Sequence, residues 1–252
     1  MPPAGADGDP IPQLKGFPHT LPLGPYFAPT RGAVFADLVP GGHLELIVSN
    51  TDNRIYAYDS AGLAVPGFPV NTIGGGQYAP SVGDLDGDGD LEIITAERRY
   101  PLGYIYVFHH DGTPWAGEGF PYEMDHVPTC TTAVGDVDND GALELFTMSY
   151  TTMYLLELDG TPAPGWPKTV SSVRYSYQSA ALANIDGDDE LEIVLAAHGD
   201  VPGVYAYNHD GTGVPGWPRT VGTWTYCPPT VTDLEGDGTL EIVAGRAGGF
   251  SG

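Results

Sequence analysis

A short acidic segment recurs along this 252-residue chain and carries the side chains that a hard cation requires. Its four full copies read DLDGDGDLE from Asp84, DVDNDGALE from Asp136, NIDGDDELE from Asn184 and DLEGDGTLE from Asp233. Oxygen-bearing side chains at positions 1, 3 and 5, followed by a turn residue, match the ligand arrangement that calcium demands. The last glutamate stands at position 9, whereas an EF-hand places it at position 12 between helices. The pattern therefore predicts calcium loops that are not EF-hands.

Each loop predicts four side-chain ligands, at positions 1, 3, 5 and 9, and one backbone carbonyl, at position 7. In chain order these residues are Asp84, Asp86, Asp88, Asp90 and Glu92; Asp136, Asp138, Asp140, Ala142 and Glu144; Asn184, Asp186, Asp188, Glu190 and Glu192; Asp233, Glu235, Asp237, Thr239 and Glu241. The alternative is an acidic turn without metal, but so many neighbouring carboxylates repel one another unless a cation is bound. A fifth copy, DLVPGGHLE from Asp37, lacks the ligands at positions 3 and 5. We therefore expect about four calcium ions, and none at the Asp37 loop.

The segments that flank the loops repeat with them. The five acidic segments follow one another at steps of 47, 52, 48 and 49 residues, a period typical of repeat folds. A strand rich in small residues precedes each loop, and an apolar run such as LEIIT from Leu91 follows it. A third piece alternates aromatic and aliphatic residues, and several of its copies end at the hairpin signal Asp-Gly. The fourth carries Gly-Phe-Pro or Gly-Trp-Pro, and its proline favours a sheet edge.

Four antiparallel strands in every repeat predict an all-β fold, a β-propeller of four-stranded antiparallel blades with five repeats in this chain. We expect a single domain over residues 1–252. Its blades are placed at approximately 28–70, 77–123, 128–170, 176–221 and 225–252, the last closing with residues 7–20. The third strand of that last blade has no match in the sequence. Either the ring closes imperfectly, or the repeats are part of a larger propeller.

The DxDGDGxxE loops, set between the first and second strands of each repeat, resemble the FG-GAP or VCBS repeats of bacterial surface proteins. These repeats are similar to the blades of integrin α-subunit propellers, and the resemblance covers nearly the whole chain. It implies a propeller with calcium loops on one face, and an extracellular protein that acts in adhesion or carbohydrate recognition. The family also includes polysaccharide lyases, so the resemblance leaves activity open. Two departures are the glutamate at position 9, where integrin loops usually carry aspartate, and the degenerate Asp37 copy.

Composition limits the partners of the protein. With 33 Asp and Glu against 9 Lys and Arg, the formal charge of −24 makes nucleic acid a poor partner. No apolar stretch approaches the roughly 18 residues of a membrane span, so no membrane insertion is expected. The first residues lack the apolar core of a signal peptide, so an exported protein would have its signal removed or outside this chain. Cys130 and Cys227 occupy equivalent places in non-adjacent repeats and are not expected to pair.

The end of the propeller opposite the calcium loops is predicted to be the ligand face. It collects basic and aromatic residues, which suit a carbohydrate or an extracellular protein ligand because aromatic rings stack on sugars. The candidates are Tyr78, Arg98, Arg99, His126, Arg174, Tyr177, His198, Trp224, Tyr226 and Arg246. Alternatively, these aromatic residues only seal the junctions between blades, and the arginines only balance nearby carboxylates.

Three functions remain open from the sequence. The first is a calcium-stabilised recognition or adhesion module, and the second is a purely structural propeller of a larger surface protein. The third is a polysaccharide lyase-like enzyme, in which His126 or His198 would abstract a proton beside Arg98, Arg99 or Tyr177. No nucleophile, base and acid form a known catalytic pattern, so no catalytic residue is assigned and an enzyme is disfavoured.

Overall fold

The computed structural model describes residues 16–24, 30–115, 119–171, 173–175 and 179–245. Within these ranges every regular element is a β-strand, and antiparallel sheets follow one another along the chain. The prediction of an all-β fold with four-stranded antiparallel blades is confirmed. Two of the sheets carry one additional short strand, and the last contains two strands.

The strands are named in chain order. Blade 1 contains β1 (Val34–Ala36), β2 (Glu45–Asn50), β3 (Arg54–Tyr58) and β4 (Val70–Asn71). Blade 2 contains β5 (Gly75–Gly76), β6 (Ser81–Gly83), β7 (Glu92–Arg99), β8 (Leu102–Phe108) and β9 (Tyr122–Met124). Blade 3 contains β10 (Ala133–Gly135), β11 (Glu144–Met148), β12 (Thr152–Leu156) and β13 (Lys168–Thr169). Blade 4 contains β14 (Val173–Arg174), β15 (Ala181–Ala183), β16 (Glu192–Gly199), β17 (Gly203–Tyr207) and β18 (Arg219–Thr220). Blade 5 contains β19 (Thr230–Thr232) and β20 (Glu241–Val243).

The second strand is the centre of each complete blade. In blade 1, Leu46 of β2 lies opposite Phe35 of β1 on one side and Tyr58 of β3 on the other. Strands β7 and β16 are longer than their counterparts, and their far ends pair with the short strands β5 and β14. The acidic loop therefore always joins the first strand to the second, as the sequence predicted.

The hydrophobic core lies between successive blades. Ile47 and Ile55 of blade 1 belong to one buried cluster with Ile93 and Tyr106 of blade 2. Equivalent clusters join blade 2 to blade 3, blade 3 to blade 4, and blade 4 to blade 5. Because the apolar run of the second strand is buried on both faces, it lacks the alternation of a half-exposed strand.

Residues of the Gly-Phe-Pro and Gly-Trp-Pro motifs in blades 1 and 3 contact the blade that follows. The indole N–H of Trp166 in blade 3 donates to the carbonyl of His209 in blade 4, at 2.6 Å. Gly67 of blade 1, with φ of +92°, lies so close to blade 2 that a Cβ there would be 1.9 Å from the Asp111 carbonyl oxygen. Each Gly-Phe-Pro or Gly-Trp-Pro motif contains a cis peptide bond before its proline.

The described part of the N-terminal segment, residues 16–24, lies against blade 1. The ring of His19 stacks on Tyr58 with 4.1 Å between centroids, and its Nε2 lies 2.8 Å from the Gly62 carbonyl oxygen. Gly16 approaches the Ala61 carbonyl in the way that Gly67 approaches the next blade. Residues 7–15, which were expected to help close the last blade, lie outside the described residues, and ring closure stays a prediction.

Candidate functional site

The acidic loops are folded by their own side chains. In blade 2 the Asp84 carboxylate accepts hydrogen bonds from the amides of Gly87, at 2.7 Å, and Gly89, at 3.1 Å. Both glycines have positive φ, 75° and 93°, which residues with a Cβ rarely adopt. Asp86 and Asp88 each accept from the amide two residues further on. The turn therefore holds several carboxylates close together.

The glutamate at position 9 braces every loop. One of its oxygens, Oε2, accepts a hydrogen bond from the backbone amide seven residues earlier. The donors and distances are Leu38 (2.8 Å), Leu85 (2.9 Å), Val137 (2.6 Å), Ile185 (2.7 Å) and Leu234 (2.9 Å). Blade 1 keeps this bond although its loop has lost two ligands. The brace is thus a structural function of the glutamate that is separate from any metal.

Three loops bring acidic groups together in a way that could hold a metal ion. In each, one oxygen from every member lies within 4.8 Å of the others. The groups are Asp84, Asp86 and Glu92 in blade 2; Asp136, Asp138 and Glu144 in blade 3; Asp186, Asp188 and Glu192 in blade 4. Asp88, Asp140, Asn184 and the position-7 carbonyls of these loops stay predicted ligands.

Unpaired oxygens in these groups fit a cation. Glu144 and Glu192 are each 1% exposed, and their Oε1 atoms accept no hydrogen bond from any residue within the described ranges. Asp136 Oδ1 is likewise buried without a donor among those residues. A buried carboxylate oxygen without a partner is costly. An oxygen-seeking divalent ion would supply the missing partner, so the donor set fits calcium.

The electrostatic cost of burying neighbouring carboxylates is clearest in the blade 3 group. Burial, helped by the neighbouring charges of Asp138, Glu157 and Asp136, raises the pKa of Glu144 to about 7 although the Val137 hydrogen bond acts to lower it. Burial also raises the pKa of Glu192 in blade 4, with contributions from Asp186 and Asp188. Both shifts record negative charges gathered where water is largely excluded.

The Asp233 loop has the fold of the others but not the same grouping. Asp233 accepts from the amides of Gly236, at 2.6 Å, and Gly238, at 2.8 Å. In the part of the chain that the structure describes, its carboxylates do not form a group of three within 4.8 Å. Glu241 is partly exposed, because blade 5 covers it with two described strands only. The fourth ion therefore stays a prediction.

A continuous row of rings crosses the end of the molecule opposite the acidic loops, where the turns after the second strands lie. We call Tyr100, His126, Tyr150, His198, Trp224 and Tyr226 the aromatic row. Its successive centroids are 6.4 Å apart for Tyr100 and His126, 5.5 Å for His126 and Tyr150, and 6.1 Å for Tyr150 and His198. From His198 the row reaches Trp224 at 5.4 Å and Tyr226 at 5.5 Å. It thus runs from blade 2 to the entry of blade 5.

The row is open to solvent along most of its length. The exposed fraction is 69% for Tyr100, 36% for Tyr150, 50% for Trp224 and 38% for Tyr226. His198 is buried beneath them, and burial and the Arg174 charge lower its pKa. Rings that only sealed blade junctions would be covered, so most of this row is available for contacts.

The predicted ligand-face residues divide into three sets. Four belong to the aromatic row, and the Arg174 guanidinium lies 5.9 Å from the centroid of its Tyr150 ring. Tyr78, Arg98 and Arg99 lie outside the row; Tyr78 is buried and has Arg31 5.9 Å above its ring. Tyr177 and Arg246 lie outside the described residues.

Tyr100 and Tyr150 were not predicted from the sequence. Both stand in turns that follow a second strand, and this position could have pointed to them. The two histidines considered as catalytic bases are separated by the Tyr150 ring.

The sheets, their inter-blade cores and the acidic loops define a β-propeller-like repeat protein with groups that could hold metal ions. Residues 42–95 match the family described as FG-GAP-like repeat, and the resemblance based on the loops is confirmed. The matched segment runs from the end of the blade 1 loop, just before β2, into β7 of blade 2. Residues 42–95 are therefore similar to one FG-GAP-like repeat. Comparison with curated proteins gives no match.

Two of the similar solved structures support the fold. Two crystal structures of BBS1N in complex with ARL6DN, soaked with mercury or lead, each give a TM-score of 0.52 at 12% and 13% identity. They cover 89% and 88% of this chain, and 61% and 65% of their own. The V. cholerae biofilm matrix protein Bap1 is 22% identical over 74% of this chain and 38% of its own, with a TM-score of 0.36. The chain spans less than two thirds of each of these structures.

Within the described ranges the chain has no helix that is long and apolar enough to cross a membrane.

Proposed function

We propose that this chain is a calcium-stabilised recognition module of an extracellular or cell-surface protein, and that it binds carbohydrate along the aromatic row. The proposal rests mainly on one observation: the possible metal-binding groups and the exposed aromatic rings lie at opposite ends of the blades. Three carboxylate groups lie at one end, and a row of exposed rings lies at the other.

Calcium is the cation that the loop chemistry favours. All predicted ligands of the nine-residue loops are oxygen atoms from carboxylates, one asparagine and backbone carbonyls. Such sets bind calcium with six to eight ligands, whereas zinc prefers four ligands that include nitrogen or sulfur. Bound calcium would neutralise the neighbouring carboxylates. Glu144 and Glu192 would coordinate it through their Oε1 atoms.

Carbohydrate is the ligand that the aromatic row favours. Sugar rings have apolar faces that stack on Tyr and Trp, and polar groups beside the rings fix their orientation. Tyr150 and Trp224 are both exposed and have polar neighbours in Arg174 and His198. The centroid spacings of 5.4 to 6.4 Å provide several neighbouring contacts for an extended chain of sugars.

A glycan array tests the ligand. Wild-type protein in calcium is expected to bind a restricted set of glycans, and Trp224→Ala or Tyr150→Ala is expected to weaken binding about tenfold or more. Phe35→Ala is the matched control, because Phe35 is 64% exposed on blade 1, outside the row. An array without wild-type binding, or equal losses in all three variants, would contradict carbohydrate binding by this row.

A purely structural role within a larger assembly is the second candidate. Val243 of blade 5 is 50% exposed, whereas its counterparts in the other four blades are at most 1% exposed. These counterparts are Ile47, Ile94, Phe146 and Val194. Leu44 of blade 1 is 57% exposed as well. The outer faces of the first and last blades thus present apolar surface of the kind that is buried between blades.

A further inference from the structure

One residue in each complete blade lies across from the position-9 glutamate, outside the nine-residue loop. It directly follows the third strand, and its amide donates at 2.9 Å to the carbonyl four residues further on. We call these the hairpin residues: Asp59, His109, Glu157 and Asn208. Each hairpin residue directly follows the last residue of the third strand that pairs with the second strand. These last pairs are Leu46–Tyr58, Ile93–Phe108, Leu145–Leu156 and Ile193–Tyr207. In an antiparallel register the hairpin residue and the glutamate therefore share one side of the sheet.

In blade 2 this neighbour contacts the glutamate directly. His109 Nδ1 lies 3.2 Å from Glu92 Oε1, the oxygen that does not form the brace. Glu92 is fully buried, and the His109 ring also packs on Trp115 with 5.1 Å between centroids. The hairpin residue thus reaches the oxygen that the loop leaves for a cation.

In blades 3 and 4 the hairpin residue has oxygen ligands to offer. Burial raises the pKa of Glu157, and so do the charges of Asp138 and Asp140 from the facing loop. The Asn208 amide donates from Nδ2 to Thr212 Oγ1 at 2.9 Å, while its Oδ1 is buried and accepts no hydrogen bond from the residues that are described. Both sites therefore combine an unpaired glutamate oxygen, from Glu144 or Glu192, with an oxygen from the opposite strand.

Blade 1, whose loop lacks the ligands at positions 3 and 5, uses the hairpin residue differently. Asp59 Oδ1 accepts hydrogen bonds from the amides of Ala61, at 2.9 Å, and Leu63, at 2.8 Å, and so closes its own hairpin. In the other blades a different aspartate, two residues later, accepts the bonds that close the hairpin. These aspartates are Asp111, Asp159 and Asp210. In the blades with acidic groups the side-chain oxygens of the hairpin residue are thus not needed to accept the hydrogen bonds that close the hairpin.

We propose that the hairpin residue supplies an additional oxygen to the cation in blades 3 and 4, whereas in blade 2 the His109 imidazole contacts the glutamate oxygen instead. This difference in chemical type ranks the three sites. The inference rests on the proposed calcium binding. Blade 3 gathers five carboxylates when Glu157 is counted, blade 2 has four and an imidazole, and blade 4 has three and two amides. Calcium affinity rises with the number of charged oxygen ligands, so blade 3 holds the tightest site.

Calcium titration of the full chain, after chelation and dialysis, tests this ranking by calorimetry. Glu157→Gln is expected to weaken the tightest binding step about tenfold, and Asn208→Asp to strengthen a weaker step by a similar factor. Glu123→Gln is the matched control, because Glu123 is an exposed carboxylate of β9 that accepts from the Tyr104 hydroxyl at 3.0 Å. This control is expected to leave every step unchanged.

A second measurement separates a ligand from a structural residue. In chelator, Glu157→Gln is expected to melt at or above the temperature of the wild type, since it removes a charge near Asp138 and Asp140. A residue with only a structural role would lose stability with and without calcium. The inference is overturned if Glu157→Gln titrates like Glu123→Gln, or if it loses stability equally in both conditions. Absence of calcium binding by the wild type would instead contradict the proposed function itself.

Discussion

Single carboxylates in this protein have distinct functions that their surroundings set. The position-9 glutamates use one oxygen to brace a loop, and three of them place the other within a carboxylate group. Glu97 is different, because it lies fully buried between blades 1 and 2. Its Oε1 accepts from Ser49 Oγ at 2.9 Å and from the Thr95 hydroxyl, and burial raises its pKa to about 8. The folded protein therefore holds this side chain as a neutral acid at pH 7.

Glu97 makes the stability of the protein depend on pH. Its folded pKa lies above the unfolded value, so the folded state binds one more proton between these two values. The free energy of unfolding then falls by about 1.4 kcal/mol for each pH unit across this window, from this group alone. Glu97→Gln removes this dependence on pH. The stability of the variant relative to the wild type is therefore expected to increase between pH 5 and pH 8. Urea unfolding of both proteins at these pH values measures it, and an equal difference at both would refute it.

Substitution of Glu45 tests the structural role of the position-9 glutamate in a loop that has no carboxylate group for a metal. It accepts from the amides of Leu38, at 2.8 Å, and Val39, at 3.1 Å, in the loop predicted to bind no cation. Glu45→Ala is expected to cost about 1–3 kcal/mol in calcium and in chelator alike, since two amides lose their acceptor. Glu144→Ala, the matched variant in blade 3, is expected to cost more in calcium than in chelator. Denaturant unfolding in both conditions compares the variants, and a calcium-dependent cost at Glu45 would contradict the account.

At the scale of the elements, much of the architecture was predictable because its signals are local and repeated. Nine consecutive residues determine an acidic loop, and the apolar run after it determines the central strand. The aromatic row could not be predicted in full, since it depends on how neighbouring blades bring Tyr100 and Tyr150 beside His126. The contact between His109 and Glu92 was missed for a similar reason, as they are 17 residues apart and meet only through strand register.

One indole hydrogen bond supports the hydrophobic contact between blades 3 and 4. Trp166 is 7% exposed and donates to the His209 carbonyl, so Trp166→Phe loses the bond and leaves space in the core. A loss of about 1–3 kcal/mol is expected. Trp224→Phe is the control, because Trp224 is 50% exposed, and a change within about 0.5 kcal/mol is expected there. Chemical unfolding monitored by circular dichroism compares the two, and equal losses would contradict a role of Trp166 in holding the blades together.

For the whole molecule, the strongly negative charge is concentrated at one end of the blades. Of the 33 acidic residues, 20 lie in the five nine-residue loop segments. The opposite end carries the aromatic row, so a cation that stabilises the fold and a ligand that is recognised would occupy separate surfaces. Calcium is then expected to affect ligand binding only through the stability of the blades, as the proposed function requires.

Removal of calcium is the most direct test of this account. A ligand that binds only the folded state stabilises it, by about 2.7 kcal/mol for one site at a hundredfold excess over its dissociation constant. For a chain of this length that corresponds to a melting shift of roughly 5–10 °C. Chelation of the wild type is therefore expected to lower the melting temperature by at least about 5 °C, and added calcium to restore it. Asp138→Asn, which changes one of the grouped carboxylates of blade 3, is expected to reduce this shift. A melting curve that is the same in calcium and in chelator would contradict the central claim.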